Sequence, residues 1–275
     1  MTTPSTQALR CYRHPNRETY VSCSECGRGI CPDCMVFGPV GIRCPDHARG
    51  AGSAPRQRAK VTARKLSAPV GIVTRVLIGV NVAVYLLELA LGGTFNGTDN
   101  WLYNNGVLAG PLVAQGDWWR LITAPFLHYG PLHLGLNMLV LWFIGPALEE
   151  YFGRLRYLLL YLVSGLAGSA GALILSPNAL TVGASGAIWG LMGAAVLLEA
   201  RRIYVFGGQA MGLVVFNLIF TLIVPGVSIG GHIAGGIGGA LAALAFTSLR
   251  RNPRLATLAV AGIGAASVAI ALYTV

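Results

Sequence analysis

Charged side chains are scarce in this sequence. Asp, Glu, Lys and Arg make up 11% of its 275 residues, whereas a typical soluble domain contains about 25%. So few charges cannot cover the surface of a soluble protein of this size, and that class is excluded. The first residues, MTTPSTQALRCYRHP, also lack a long apolar run. We therefore expect no cleavable signal peptide.

The positive charge is unevenly distributed. Eleven of the twenty Lys and Arg residues fall within the first 65 positions. The net charge of +10 therefore describes a basic N-terminal part and short loops, with no basic face suited to nucleic acid, and we expect no nucleic-acid partner. Hydrophobic residues make up 54% of the chain, and its 37 glycines are typical of closely packed membrane helices.

Cysteine is absent beyond Cys44. The six cysteines and two nearby histidines form four pairs, each with two residues between the partners: Cys11 and His14, Cys23 and Cys26, Cys31 and Cys34, Cys44 and His47. Two such pairs can surround one tetrahedral zinc ion, so the eight ligands predict two structural zinc sites. A disulfide framework is the alternative, because six is an even number. It is disfavoured in the cytoplasm, where the orientation derived below places this part.

Composition divides the chain into three parts. Residues 1–50, the head, contain the Cys/His pairs. Residues 51–69 are basic and contain Gly, Ser and Pro, which predicts a flexible linker. Residues 70–275, the body, are apolar.

The body contains seven apolar segments, each near the ~20 residues that span a bilayer. They cover 71–91, 132–149, 155–176, 183–200, 208–224, 228–248 and 255–273. Lys and Arg fall on one side of these segments, except Arg120. The positive-inside rule then places the N-terminus in the cytoplasm and Val275 outside. We expect an all-α polytopic membrane protein in the cell (plasma) membrane.

In this orientation the second, fourth and sixth segments run inward from the outer face, and each has polar residues in its first turns. These residues are His133, Asn137, Ser185 and His232. A serine hydroxyl needs a base to take its proton, and His232 suits that role near neutral pH. His133, Asn137 and the backbone N–H of Ser185 are suitable donors to a tetrahedral oxyanion.

Each of these residues also has a structural interpretation. Ser185 could be a packing residue or bond to its own helix. His232 could make a structural hydrogen bond, although a buried histidine is more often functional. His133 and Asn137 share one helical face and could bond to a neighbouring helix.

Small residues favour the catalytic interpretation. Glycines on one face of the fourth and sixth segments would let the two backbones approach closely and bring Ser185 to His232. They are Gly186, Gly190, Gly231, Gly235 and Gly239. Trp189, one turn after Ser185, could cover the imidazole or contact core or lipid. Among the carboxylates of the body only Glu88 is a marginal partner for His232, which favours a Ser–His dyad over a triad.

Five motifs of the body resemble the rhomboid intramembrane serine proteases. In order they are WRLITAPFLH (119–128), His133-x3-Asn137, GPALEEYFG (145–153), GASGAIWG (183–190) and GHIAGGIGG (231–239). The resemblance covers essentially all of 70–275. It implies a six-helix core with one appended C-terminal helix.

By the same resemblance, Ser185 is the nucleophile, His232 the base, and His133 and Asn137 stabilise the oxyanion. His128 matches a histidine that is structural or lines the site. Glu149 and Gly153 match a structural motif at the cytoplasmic end of the second helix.

The head resembles a B-box-type zinc finger, with the spacing C-x2-H-x8-C-x2-C-x4-C-x2-C. It departs from that family at its end, where a Cys-x2-His pair replaces two histidines. The resemblance implies that the first and third pairs share one zinc ion and that the second and fourth share the other. Spacing alone leaves this pairing open, and a protein partner of the head is also open.

Together these features predict a serine endopeptidase that cleaves transmembrane segments of other membrane proteins near the outer face of the bilayer. No cofactor is expected in catalysis. A catalytically inactive relative is one alternative, but it would normally lack the serine or the histidine. A transporter or channel is another, but its ionisable residues would lie deeper in the bundle.

Overall fold

The computed structural model describes residues 8–37, 41–47, 71–96, 98–224 and 226–275. The chain divides into two compact units, Met1–Pro69 and Val70–Val275. The predicted linker, 51–69, lies outside the described residues.

The first unit is built from very short elements. Strand β1 (Leu9–Arg10) pairs antiparallel with β2 (Glu18–Thr19), and β3 (Val36–Phe37) pairs antiparallel with β4 (Ile42–Arg43). A 3-10 turn covers Pro32–Cys34. In the described head, the buried cluster consists of Ile30 and five of the cysteines. Such a small apolar core cannot hold a fold without further cross-links.

The second unit is helical, which confirms the predicted class. Its long helices are α1 (Ile72–Ala90), α5 (Gly130–Phe152), α6 (Arg154–Leu175), α7 (Ser185–Ala200), α8 (Ala210–Ile223), α9 (Ile229–Ser248) and α10 (Pro253–Thr274). Between α1 and α5 lie the short helices α2 (Trp101–Gly106), α3 (Gly110–Ala114) and α4 (Arg120–Thr123), followed by a 3-10 turn at Ala124–Phe126. The long helices follow the seven predicted segments in order.

Two of these helices are shorter than the sequence predicted. Within the described residues, five helices are long and apolar enough to cross a membrane, whereas α7 has 16 residues and α8 has 14. The expectation of about 20 residues for every segment is therefore wrong for these two. Helix α7 starts late because the chain before it is extended and bonded elsewhere. Leu108 and Thr181 form an antiparallel bridge, and the Gly183 N–H donates to the Ala124 carbonyl at 3.0 Å.

Glycines set the distance between α7 and α9. A Cβ atom added to Gly235 would lie 2.1 Å from the Gly186 carbonyl oxygen, and one added to Gly239 would lie 2.1 Å from that of Gly190. No side chain fits there, so the two backbones are in direct contact, as the glycine pattern predicted. Helix α9 also packs closely on α6. Three helices that carry or border the site residues are thus fixed against one another.

A buried carboxylate fixes the start of α1. Glu149, near the end of α5, accepts hydrogen bonds from the N–H groups of Val73 and Thr74 at 3.0 and 2.8 Å, and from the Thr74 hydroxyl at 2.9 Å. A negative charge is favourable at a helix N-terminus, where backbone N–H groups lack partners within the helix. Glu149 therefore joins α5 to α1, which gives a physical basis to its structural role.

Candidate active site

The centre of the site is a hydrogen bond between Ser185 and His232. Ser185 is the first residue of α7 and His232 the fourth residue of α9. The Ser185 Oγ lies 2.8 Å from His232 Nε2. The imidazole is 5% exposed and the serine is half-buried. The two residues that the sequence singled out are therefore in direct contact, with the hydroxyl more open than the base.

Two further contacts hold the His232 ring. Trp189 stacks on it with ring centroids 5.0 Å apart and planes 20° from parallel. The other ring nitrogen, Nδ1, lies 2.8 Å from the Thr221 hydroxyl oxygen on α8. Among the described residues, the side-chain hydrogen bonds of His232 go to Ser185 and Thr221, and Glu88 is not a partner. The position that a carboxylate takes in a Ser–His–Asp triad is occupied here by a neutral hydroxyl.

His133 lies against the loop that precedes α7. Its Nδ1 accepts a hydrogen bond from the Tyr129 N–H at 3.3 Å. A Cβ atom on Gly183 would lie 2.5 Å from His133 Cε1 and 2.8 Å from its Nε2, so a side chain there would displace the His133 ring. The φ of +119° at Gly183 also favours glycine. Because Nδ1 accepts, the proton of the neutral ring is on Nε2. The Nε2–H of His133 is therefore a hydrogen-bond donor beside Gly183, which lies two residues before Ser185 in the sequence.

Asn137 and His128 surround His133. The Asn137 side chain is 7% exposed and donates from Nδ2 to the His133 backbone carbonyl at 2.9 Å. Asn137 lies one turn after His133 on α5. The bond uses one of the two hydrogens of the Asn137 amide. His128 is fully buried, with its Nδ1 3.3 Å from the Phe126 carbonyl oxygen and its ring centroid 5.2 Å from that of His133. It therefore supports the wall of the site.

Two buried polar residues of the body, Thr221 and Arg120, were assigned no role from the sequence, and of these Thr221 contacts His232. Thr221 received no role, because a threonine in an apolar helix usually bonds only to its own backbone. Arg120 was noted for its charge and as part of the motif WRLITAPFLH. It is 3% exposed, pairs with Asp117 at 2.7 Å and donates to the carbonyls of Asn104 and Val107 at 2.9 Å. The available signal was the opposite charge of Asp117, three positions before Arg120 in a largely apolar part of the chain.

In the head, the eight predicted ligands lie in two groups of four. One contains Cys11, His14, Cys31 and Cys34, and the other contains Cys23, Cys26, Cys44 and His47. Within each group all ligand atoms lie within 4.8 Å of one another. The first and third pairs thus meet, as do the second and fourth, which is the crossed arrangement that the B-box resemblance implies.

The spacing within each group fits a tetrahedral metal ion. His14 Nδ1 lies 3.3 and 3.4 Å from the Cys31 and Cys34 sulfurs, and His47 Nδ1 lies 3.2 Å from the Cys44 sulfur. Zinc bonds of about 2.0–2.3 Å place tetrahedral ligands roughly 3.5 Å apart, so the observed spacing is suitable. The Cys26 and Cys44 sulfurs are 3.9 Å apart, far beyond the ~2.05 Å of a disulfide.

A family model described as the rhomboid domain matches residues 115–249. The YdcA protein of Bacillus subtilis (strain 168), a rhomboid relative, is 35% identical over 147 residues, which cover 52% of this chain and 73% of YdcA. The chain belongs to the rhomboid family. The matched range contains the polar residues described above around the serine: Ser185, His232, Thr221, His133, Asn137 and His128.

Other rhomboids are matched over a smaller share of their length. Rhomboid protease GluP of Bacillus subtilis (strain 168) is 41% identical over 165 residues, 58% of this chain and 32% of GluP. RHOMBOID-like protein 4 of Arabidopsis thaliana is 40% identical over 130 residues, 45% of this chain and 33% of that protein. The chain thus spans about a third of the length of these two relatives.

Proposed function

We propose that the body is an intramembrane serine endopeptidase, with Ser185 as nucleophile and His232 as general base. The observation that carries this proposal is the 2.8 Å hydrogen bond between Ser185 Oγ and His232 Nε2. Nucleophile and base must lie within about 2.6–3.2 Å for direct proton transfer. Two relatives, GluP and YdcA, carry the name rhomboid protease, which supports the same reaction class.

The first chemical step follows from this geometry. Ser185 Oγ attacks a peptide carbonyl carbon while its proton moves to His232 Nε2. His232, then an imidazolium, can give that proton to the leaving amine, which leaves an acyl-enzyme at Ser185. Water, deprotonated by the same imidazole, releases the acyl group. Each step uses side chains that are already in contact.

The oxyanion of each tetrahedral intermediate requires hydrogen-bond donors. Ser185 begins α7, so its own N–H has no acceptor within that helix and can bind an anion. We assign His133 Nε2 and the second hydrogen of the Asn137 amide as side-chain donors. The His133 ring already lies against Gly183, in the segment that leads to Ser185. A helix N-terminus adds a favourable partial charge at the same place.

The substrates we propose are transmembrane segments of other membrane proteins. Apolar side chains such as Phe143, Phe216 and Ile223 are exposed on the helices, which suits contact with lipid. From the Lys/Arg asymmetry we infer that Ser185 lies near the outer face and the head in the cytoplasm, and we propose the cell (plasma) membrane as the location. A substrate helix must unwind locally, because its carbonyl groups are otherwise hydrogen-bonded within the helix.

The orientation can be tested in intact cells. A single cysteine introduced beside Asn104 should react with a membrane-impermeant thiol reagent, while one beside Arg201 should react only after the cells are opened. The opposite labelling pattern would overturn the orientation and the outer-face location of the site.

Labelling with a fluorophosphonate tests the nucleophile without a known substrate. Wild-type protein should be labelled at Ser185, and Ser185→Ala should abolish both labelling and cleavage of a model transmembrane substrate. Ser267→Ala is the matched control, because Ser267 is also buried but bonds to the Ile263 carbonyl of its own helix. It should retain wild-type labelling.

His232→Ala should reduce both readouts to below about a thousandth of the wild-type value, since the dyad acts as a unit. Undiminished cleavage at the same peptide bond by folded Ser185→Ala would exclude the proposed mechanism. Substrate binding with neither cleavage nor labelling in the wild type would favour an inactive relative.

We further propose that the head binds two structural zinc ions. The two Cys₃His groups supply four protein ligands each, which is the closed arrangement of a structural site. Zinc there would hold the short strands together and take no part in peptide hydrolysis. Metal analysis of the purified full-length protein should give two zinc ions per chain. One or none would refute the assignment of eight ligands.

A further inference from the structure

Thr221 occupies an exceptional position in α8. This helix turns large apolar side chains such as Phe216 and Leu222 outward, and its buried residues are Ala210 and Thr221. A buried position on an apolar helix normally carries an apolar side chain, because a buried polar group needs a partner. Here the position holds a hydroxyl whose residue is 3% exposed. The hydroxyl therefore requires an explanation beyond packing.

The partners of this hydroxyl define the direction of its hydrogen bonds. Thr221 Oγ1 lies 2.8 Å from the Asn217 carbonyl oxygen and 2.8 Å from His232 Nδ1. A hydroxyl has one hydrogen and two lone pairs, and a carbonyl oxygen only accepts. The Thr221 hydrogen therefore goes to Asn217, and Oγ1 accepts the hydrogen on Nδ1. If Thr221 instead donated its hydrogen to Nδ1, the hydrogen of the neutral imidazole would be on Nε2, facing Ser185.

We propose that Thr221 is a positioning residue that holds His232 in the tautomer protonated at Nδ1, so that Nε2 is free to receive the Ser185 proton. This proposal rests on the proposed function. It completes a chain that runs from Ser185 through His232 and Thr221 to the Asn217 carbonyl. A neutral hydroxyl thus performs the orienting part of the task that a carboxylate performs in a Ser–His–Asp triad.

The proton balance agrees with this role. When Ser185 attacks, its O–H bond breaks and a new N–H bond forms at Nε2, while the hydrogen on Nδ1 stays in place against Oγ1. No proton passes to Thr221. The hydrogen bond becomes stronger as the ring gains charge, because charge-assisted hydrogen bonds are stronger than neutral ones. Trp189 limits tilting of the ring plane and Thr221 limits rotation within it.

A purely structural role makes a different prediction. Threonine hydroxyls in apolar helices commonly bond to the carbonyl four residues earlier, as Thr221 does with Asn217. If that were its whole role, Thr221→Val would leave His232 unaffected. Valine has nearly the same shape and keeps the β-branch, so it removes the hydrogen bond with little change in packing.

The test compares Thr221→Val, Thr221→Ser and a control in full-length, detergent-solubilised protein. Thr257→Val is the matched control, because the Thr257 hydroxyl makes the same type of bond, to the Pro253 carbonyl at 3.0 Å. Thr221→Val should slow fluorophosphonate labelling of Ser185 and kcat by about tenfold, the scale of one lost hydrogen bond, with KM unchanged. Thr221→Ser should restore both, and the control should match the wild type.

Nitrogen-15 NMR of the full chain gives a readout that does not depend on turnover. With His232 assigned by comparison with His232→Ala, the wild type should show a protonated Nδ1 and an unprotonated Nε2. Thr221→Val should shift the ring toward protonation at Nε2. A wild-type ring protonated at Nε2, or wild-type labelling by Thr221→Val, would overturn the role of Thr221. Absence of labelling and cleavage in the wild type would instead overturn the proposed function.

Discussion

The head and the body bring their functional side chains together on different scales. In the head, all eight candidate ligands lie between Cys11 and His47, and each is three positions from its partner. In the body, Ser185 and His232 are 47 positions apart on separate helices. Contact in the head follows from short turns, and the proposed zinc ions would hold it. Contact in the body depends on a helix interface where glycines permit backbone approach.

This difference predicts that the two regions respond to separate perturbations. The head has a buried cluster of six residues in its described part, five of them cysteines. The body has its own extensive apolar core, which includes Leu141, Tyr157 and Phe246. Metal loss should therefore unfold the first region, and glycine substitution should damage the second.

The largest expected effect is unfolding of the head on zinc removal. A structural zinc site has an apparent binding free energy of about 10–16 kcal/mol, and this energy is largely folding energy. A strong chelator, or Cys26→Ser, should release zinc and make the head sensitive to limited proteolysis. Labelling of Ser185 should persist, since no motif links the two parts.

The control for this prediction is Ser24→Ala, which changes a neighbour of the ligands and removes none of them. It should keep the full zinc content. A parallel loss of zinc and of Ser185 labelling would break the comparison, because it would show that the head regulates the protease.

The next effect concerns the proposed oxyanion donors within the body. His133→Ala and Asn137→Ala should each cost about 3 kcal/mol in transition-state stabilisation, the scale for one lost donor. We expect kcat to fall by about a hundredfold while KM changes little. Steady-state cleavage of a model transmembrane substrate measures both. Asn105→Ala is the control, because its amide bonds to the Trp101 carbonyl on exposed α2.

A fall in kcat that is accompanied by a fall in unfolding temperature would instead indicate that these two side chains only support the fold. That outcome would sharpen the comparison by limiting chemistry in the body to Ser185 and His232.

A smaller effect is expected from one added methyl group between α7 and α9. In Gly239→Ala the new Cβ would lie 2.1 to 2.4 Å from backbone atoms of Gly190, so the helices must separate. Overpacking of this kind costs about 1–3 kcal/mol. Thermal unfolding in detergent should occur at lower temperature, and labelling of Ser185 should slow as the hydrogen bond to His232 lengthens.

Gly262→Ala is the matched control, because a Cβ there would meet nothing within 4 Å. It should be neutral or slightly stabilising, since alanine favours helix. Equal stability of the two variants would argue that the α7–α9 interface is not held by glycine contacts.

The smallest effect is expected at the start of α1. Glu149→Gln replaces the carboxylate that accepts hydrogen bonds from the Val73 and Thr74 N–H groups. The negative charge is lost, and an amide group faces those N–H donors. A charge at a partly buried helix N-terminus contributes up to about 2 kcal/mol, so we expect a modest fall in unfolding temperature. Glu150→Gln changes the exposed neighbouring residue and should have no effect. An unchanged Glu149→Gln protein would show that this cap contributes little.

The sequence alone gave useful predictions where function imposes a local pattern. Ligand pairs separated by two residues indicated two metal sites, because one short turn can hold both members of a pair. Polar residues in the first turns of apolar segments indicated Ser185, His232, His133 and Asn137, because polar groups are costly inside a membrane.

Helix length was predicted less well. The fourth apolar segment, which contains Ser185, suggested a helix from residue 183. In the structure, Thr181 and Gly183 are instead hydrogen-bonded to Leu108 and Ala124. Those partners are more than 50 residues away in the sequence. A local hydropathy pattern does not contain this information, so the late start of α7 could not be predicted from it.

The sequence by itself determined the membrane-helix class, the order of the helices, the candidate metal-ligand pairs and the identity of the candidate site residues. Each of these depends on composition or on spacing within a few turns. Only the tertiary structure decided that His232 Nε2 faces Ser185, that its Nδ1 meets Thr221, and that His133 lies over Gly183. These contacts join separate elements at distances near 3 Å, and such distances depend on how the helices pack against one another.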